Sequence, residues 1–390
     1  MHVAINGHFW GQPHTGSGQY LRHLWSALAG LGPDDTYTLL LPPGAGDEPS
    51  QSERMRVKHA MPARFVGGRS ANLDKLLFEA WGAARAARRV RAGVLHVPYL
   101  AAPLPGAAGM PVVVTAHDMI PWVVPGYAGS PAVKVYLRLA AAFARRARLV
   151  LADSEASRRD AIKVLRMPPS RVRTVYLGME QHPEYTPEEL REVRERHGLP
   201  EAYAFYLGGF DRRKNVPLLL RAWRTLVESV EAEQPVLAVG GGVPEPGGVF
   251  PDVRGEARRL GLDGPGGPVR FIGRVSEEDK PRLMAGARLF AYPSAYEGFG
   301  LDPLEAMSVG CPVVSSSGGS LREVVGEGGL LVPPGDEGAL AGALKRVWSD
   351  TALRADLSAK GREQAGRFTW ERTAEQTRQA YRVAAGKAGG

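Results

Sequence analysis

The chain has 390 residues, more than a single hydrophobic core ordinarily organises, so two domains are expected. With 44% apolar and 23% charged residues its composition is that of a globular protein, which excludes a disordered chain. One cysteine excludes an internal disulfide framework and a cysteine-based zinc site, while a net charge of +8 leaves three classes of partner open: nucleic acid, an anionic membrane surface or an anionic small substrate.

MHVAING opens directly as a strand (3–7), without the charged-then-apolar pattern of a signal peptide, and no stretch reaches the ~20 apolar residues of a membrane span. A cytoplasmic protein is expected. A glycine-containing loop, GQPHTGSGQ (11–19), leads into a helical pattern over 20–32 that ends at glycines. YTLLLPP (37–43) reads as a strand, 73–93 as an Arg-rich helix, and VLHVP (94–98) and VVVTAHD (112–118) as further strands. A helix near 131–148, LVLADS (149–154), a helix from Glu155 and RVRTVYLG (171–178) complete the first half. Residues 179–202 carry three prolines and several charges and read as a linker with a connecting helix.

The alternation then restarts. AFYLGGF (204–210), PVLAVGG (235–241), VRFIGRV (269–275), LFAYPS (289–294), PVVSSS (312–317) and GLLVPP (329–334) read as strands, each followed by a helical or loop pattern. The expected fold is therefore α/β: two doubly wound, Rossmann-like domains with parallel sheets covered on both faces. The predicted bounds are 1–178 and 203–367, with a terminal helix over 368–390 packing back on the first domain. Cys311, in the run CPVV, reads as a small core residue.

Ligands of such sheets sit beyond the carboxyl ends of the strands, so the informative residues should follow strands. In YEGFGLDPLEAMSVGCPVV (296–314), Gly298, Phe299, Gly300 and Leu301 open a helix whose first N–H groups suit a phosphate. Glu297 and Glu305 flank that opening, and carboxylates suit sugar hydroxyls because each oxygen accepts from an O–H. Gly209, Arg212, Arg213 and Lys214, in GGFDRRKNV (208–216), bring cations to another strand end. Gly16 and Gly18 lie in a loop that can approach a ligand closely but does not make a dinucleotide fingerprint. His117 and Asp118 end a buried strand.

These motifs, with ADSEASRRD (152–160) and VVSSSGGSLREVVGEGGLLVPPGD (313–336), occur in an order that resembles the retaining nucleotide-sugar glycosyltransferases of family 4 across nearly the whole chain. The resemblance implies the GT-B fold, two Rossmann-like domains facing across a cleft, the first binding acceptor and the second the nucleotide sugar. It implies that Lys214 and Arg213 hold the donor diphosphate, that Glu305 binds the ribose, and that Glu297 contacts the donor sugar. Gly298 to Leu301 would complete the sugar and phosphate site, and Arg274 and Val275 would lie against the base. His117 would approach the sugar from the first domain, and Gly16 to Gly18 would close over the phosphates.

Two positions depart from the family pattern. Asp302 stands where many members have proline, and either adds negative charge beside the diphosphate or turns outward. Gly209 stands where some carry an arginine, so Arg213 or Arg212 must replace it. GSGQY, RKN and SLREVVG look most like GDP-mannose-dependent mannosyltransferases; UDP- and ADP-sugar donors are the alternatives, and a non-catalytic nucleotide-sugar-binding protein is a further one. No paired acid motif suited to a divalent metal at a diphosphate occurs, so no metal cofactor is expected. The acceptor is a glycan, lipid-linked or small-molecule hydroxyl. A basic, aromatic-interleaved motif for nucleic acid is missing, whereas the Arg-rich helix over 73–91 is a candidate for peripheral contact with an anionic inner-membrane face.

Overall fold

The computed structural model describes residues 1–42, 45–60, 71–104, 106–230 and 234–386. They divide into two compact units: Met1–Gly178 together with the segment from Thr369, and Met179–Phe368.

The first unit is built on strands β1 (His2–Asn6), β2 (Thr36–Leu41), β3 (Met55–His59), β4 (Val94–Val97), β5 (Val112–Ala116), β6 (Leu149–Ala152) and β7 (Val172–Thr174). All neighbouring pairs are parallel, in the order β3-β2-β1-β4-β5-β6-β7. Runs such as Val3–Ile5, Val113–Val114 and Leu149–Ala152 are buried, as a sheet covered on both faces requires. Strand order reverses between β1 and β4, where Val3 pairs with Val94. The helix Trp370–Ala384 belongs to this unit. Thr369 caps its start, and Tyr381 is bonded at 2.7 Å to His96 inside β4. His96 in turn contacts Thr115 of β5 at 2.8 Å, and burial depresses its pKa to about 3, so it stays a neutral core group.

Two differences from the sequence reading appear here. Strand β3, MRVKH, was not anticipated. It is an edge strand with only Met55 and Val57 buried, too short and too polar to signal itself. The expected helix over 73–93 is interrupted: Ala71–Leu77 and Ala83–Arg89 are α-helical, but Phe78–Gly82 widens into a π-turn. Within 179–202 the expected connecting helix is present: Pro187–Arg196 carries a capping box at Thr186 and Glu189, and Arg196 and His197 both pair with Asp279 of the second unit.

The second unit holds β8 (Ala204–Leu207), β9 (Leu237–Gly240), β10 (Val269–Gly273), β11 (Leu289–Tyr292), β12 (Val313–Ser316) and β13 (Gly329–Val332), all parallel, in the order β10-β9-β8-β11-β12-β13. Its core is anchored by Trp223, which donates to the Pro268 carbonyl at 3.0 Å and meets Trp348 edge-on. Cys311 is buried there as expected. The strand order reverses between β8 and β11, so the crevice beyond Leu207 and Tyr292 is where this topology receives a ligand.

Candidate active site

Two loops meet at that reversal. After β8 the chain turns through Gly208 and Gly209 into a short 3-10 turn, Arg212–Lys214, capped by the Asp211 carboxylate. Asn215 then adopts a left-handed conformation (φ 58°), which ends the turn and starts the helix Val216–Glu228. This change of direction leaves Arg212 exposed and buries Lys214. Arg213 also points inward, with only 12% of its side chain exposed. Of the two arginines left open by the sequence, the structure brings Arg213 to the crevice.

After β11 the chain presents Ser294, Glu297 and the helix Leu301–Ser308. One carboxylate oxygen, Oε1 of Glu297, is the focus. It receives Lys214 Nζ at 2.8 Å, Arg213 Nη1 at 2.6 Å, Ser294 Oγ at 2.6 Å and the Tyr292 hydroxyl at 3.1 Å. Burial alone would raise the Glu297 pKa, but Lys214 and Arg213 outweigh it and hold the carboxyl below its usual range. Tyr292 stays a neutral phenol, because burial, Glu297 and Asp302 all raise its pKa. It accepts from Lys214 at 2.5 Å and lies 3.0 Å from Asp302 Oδ2. Asp302 therefore turns into the site rather than outward.

Gly300, with φ at 103°, begins the helix Leu301–Ser308, and no side chain caps it. The first N–H groups of a helix have no partner within it, so its opening can face an anion. One turn on, Glu305 faces Lys280, whose Nζ lies 2.8 Å from each carboxylate oxygen. Burial pushes the Glu305 pKa up to about 7 despite that lysine. Val275 and Arg274 follow β10. Arg274 is exposed, with its Nε 3.5 Å from where a side chain on Gly242 would begin. The backbone of 297–299 is held in turn by Gly319 and Ser320: Ser320 Oγ donates to the Phe299 carbonyl at 2.6 Å, and Glu297 bridges to Gly319.

Lys280, Tyr292, Ser294 and Ser320 were not singled out from the sequence. Each lies near a recognised residue, and no spacing rule marks them.

Gly16, Gly18 and His117 belong to the first unit. Thr15 caps the helix Gly16–Gly30 by accepting from Gly18 N–H, and a side chain on Gly18 would collide with the Gln12 carbonyl at 2.1 Å. Gly18 is thus required by its own loop, whereas Gly16 is exposed with open space around it. His117, just beyond β5, is bonded at both ring nitrogens: Nε2 lies 3.0 Å from the Pro98 carbonyl and Nδ1 lies 2.8 Å from Asp153, a residue the sequence reading did not single out.

The family described as "Glycosyl transferases group 1" matches residues 189–364, and "Glycosyltransferase Family 4" matches 14–181. The chain is 34% identical over 273 residues to O-antigen chain mannosyltransferase B of Escherichia coli, covering 70% of each chain. The chain belongs to glycosyltransferase family 4. It is also 37% identical over 246 residues to D-inositol 3-phosphate glycosyltransferase of a Nocardioides strain, covering 60% of this chain and 54% of that one. Among solved structures, sucrose-phosphate synthase from Thermosynechococcus elongatus superposes with a TM-score of 0.73 at 25% identity, over 98% of both chains. The two parallel sheets are those of GT-B glycosyltransferases, and this family-4 member is a hexosyltransferase.

Proposed function

We propose that this family-4 enzyme transfers mannose from GDP-mannose, with retention of anomeric configuration, to a glycan or lipid-linked hydroxyl. The observation that carries the reading is the Glu297 carboxylate clasped by Lys214 and Arg213 at the strand-order reversal. A donor diphosphate carries the same kind of oxygen ligands as Glu297, so it competes for both cations. On that reading Glu297 holds Lys214 and Arg213 in place until the diphosphate takes them over. It is then released toward the sugar hydroxyls. Glu305, with Lys280 behind it, takes the ribose.

In the transfer step the bond from C1 of the sugar to the diphosphate oxygen breaks and the acceptor oxygen bonds to C1 on the same face. The acceptor proton goes to the departing phosphate oxygen, so no separate base is required. Lys214, Arg213 and the opening of the helix at Leu301 stabilise the charge that develops on the leaving group. A divalent metal is not needed in this scheme, and turnover is expected to persist in a chelator. The mannosyltransferase name of the E. coli relative and the GSGQY, RKN and SLREVVG motifs support the donor. We read the chain as cytoplasmic, with its first unit serving the acceptor and touching an anionic membrane.

The test is thermal denaturation with GDP, UDP, ADP, CMP and their sugar conjugates. A ligand at ~100 times its dissociation constant adds about 2.7 kcal/mol, a shift of several degrees for units of this size. The shift should be selective for GDP and lost in Lys214→Ala. A UDP- or ADP-selective shift would overturn the donor but keep the enzyme class. A full shift retained by Lys214→Ala would overturn the site.

A further inference from the structure

Among the described residues six large apolar side chains are exposed, and five of them, Leu76, Trp81, Val133, Val135 and Leu139, lie on neighbouring helical segments of the first unit. The segments touch: Lys75 sits 5.5 Å over the Tyr136 ring, and the Tyr136 hydroxyl donates to Glu79 at 3.3 Å. The helix Pro131–Ala144 is well formed, with Ser130 as its cap and Pro131 in its first turn, yet its only fully buried residues are Ala140 and Ala144. A surface helix normally buries its large apolar side chains and exposes polar ones. Here Val135 and Leu139 are 54% and 50% exposed, while the inner contact is made by Ala140, Ala144 and the partly buried Ala141 and Phe143.

The charge on this helix is one-sided. Residues 131–148 contain Lys134, Arg138, Arg145, Arg146 and Arg148 and no acid. Helical spacing sets Val135, Leu139 and Ala142 in one line and Lys134, Arg138 and Arg145 in the line beside it. Trp81, 52% exposed on the adjoining π-turn, adds an aromatic of the type that settles at a membrane–water boundary.

We infer that the helix Pro131–Ala144, with Leu76 and Trp81 beside it, is a docking surface for an anionic lipid bilayer. The apolar line enters the headgroup boundary, and the basic line meets the lipid phosphates. This deepens the membrane contact proposed above by naming the surface: the Arg-rich 73–91 segment supplies Leu76 and Trp81, and the neighbouring helix Pro131–Ala144 supplies the rest of the apolar anchor. It does not depend on the donor. A protein partner would also accept an apolar patch, but the adjacent run of cations without a single acid is complementary to a surface of uniform negative charge.

The experiment is flotation of the full chain with vesicles of phosphatidylcholine, with and without about one-third phosphatidylglycerol. Binding should require the anionic lipid and weaken with salt. Each cation near such a surface contributes roughly a fivefold change in partition, so Lys134→Gln with Arg138→Gln should weaken binding about 25-fold. Val135→Ser with Leu139→Ser should weaken it at least as much. Both pairs should keep the wild-type melting temperature and turnover on a soluble acceptor, which separates this result from failure of the transferase reading. Equal binding by wild type and both variants would overturn the proposal, as would no binding by wild type. A concentration-dependent dimer that is lost in Val135→Ser/Leu139→Ser, without vesicle binding, would assign the patch to a second copy of the chain instead.

Discussion

The protonation of His117 follows from which atoms surround it. Nε2 faces the Pro98 carbonyl, which can only accept, so that nitrogen carries a hydrogen; Nδ1 faces the Asp153 carboxylate, which favours a second one. Burial would keep the ring neutral, yet Asp153 overrides it and raises the His117 pKa above its ordinary value. A group whose folded pKa is raised stabilises the fold fully below its unfolded pKa, ~6.5 here, and loses that contribution as pH rises through the folded pKa. Asp153→Asn should therefore cost about 1–3 kcal/mol between roughly pH 5 and 6.5, with the cost shrinking at higher pH. In the same variant the His117 ring resonances, followed by NMR, should titrate below the range of an exposed imidazole. A stability loss that is flat with pH, or an unmoved His117 titration, would mean that Asp153 acts only by packing.

At the scale of elements, the candidate site residues stand on loops whose shape is set by backbone-to-backbone contact, and glycine is what permits it. Gly319 has φ at 63°, and a side chain there would begin 2.3 Å from the Glu297 carbonyl. Gly319→Ala should cost about 1–3 kcal/mol and shift Glu297, weakening nucleotide-sugar binding in calorimetry. Gly342→Ala has the opposite sign. It lies exposed inside the helix Glu337–Ser349 with open space around it, so alanine should raise stability by about 0.5–1 kcal/mol. Equal effects of the two substitutions would refute the clamp.

The same contrast explains what the sequence disclosed. Buried parallel strands such as VVVTA and LFAY are continuous apolar runs and announce themselves, as do cations and acids just after them. The strand MRVKH half-faces solvent and is silent. The pairing of Glu297 with Lys214 joins residues 83 apart and exists only because β8 and β11 are neighbours. Lys280 opposite Glu305 depends on how the loop after β10 folds, for which the local run SEEDK carries no code.

On the whole-molecule scale each unit has its own sheet and core, and the chain passes between them twice, at 178/179 and at 368/369. Gly178 belongs at the first passage because a side chain there would start 2.2 Å from the Trp370 backbone nitrogen. Since the candidate nucleotide contacts at Lys214, Arg274, Glu297 and Glu305 all belong to the second unit, nucleotide binding should be registered there as local ordering. Hydrogen exchange with and without GDP should show added protection at 208–214, 273–275 and 297–305. The buried strands β4 to β6 serve as an internal reference that should not change. Protection rises with the free energy of opening, so a ligand at ~100 times its dissociation constant can slow exchange by up to about 100-fold where opening requires its release. Protection concentrated in the first unit would remove the nucleotide from the Glu297 crevice. Uniform slowing of both sheets would mean that GDP stabilises the chain as one cooperative block, against the two-unit organisation.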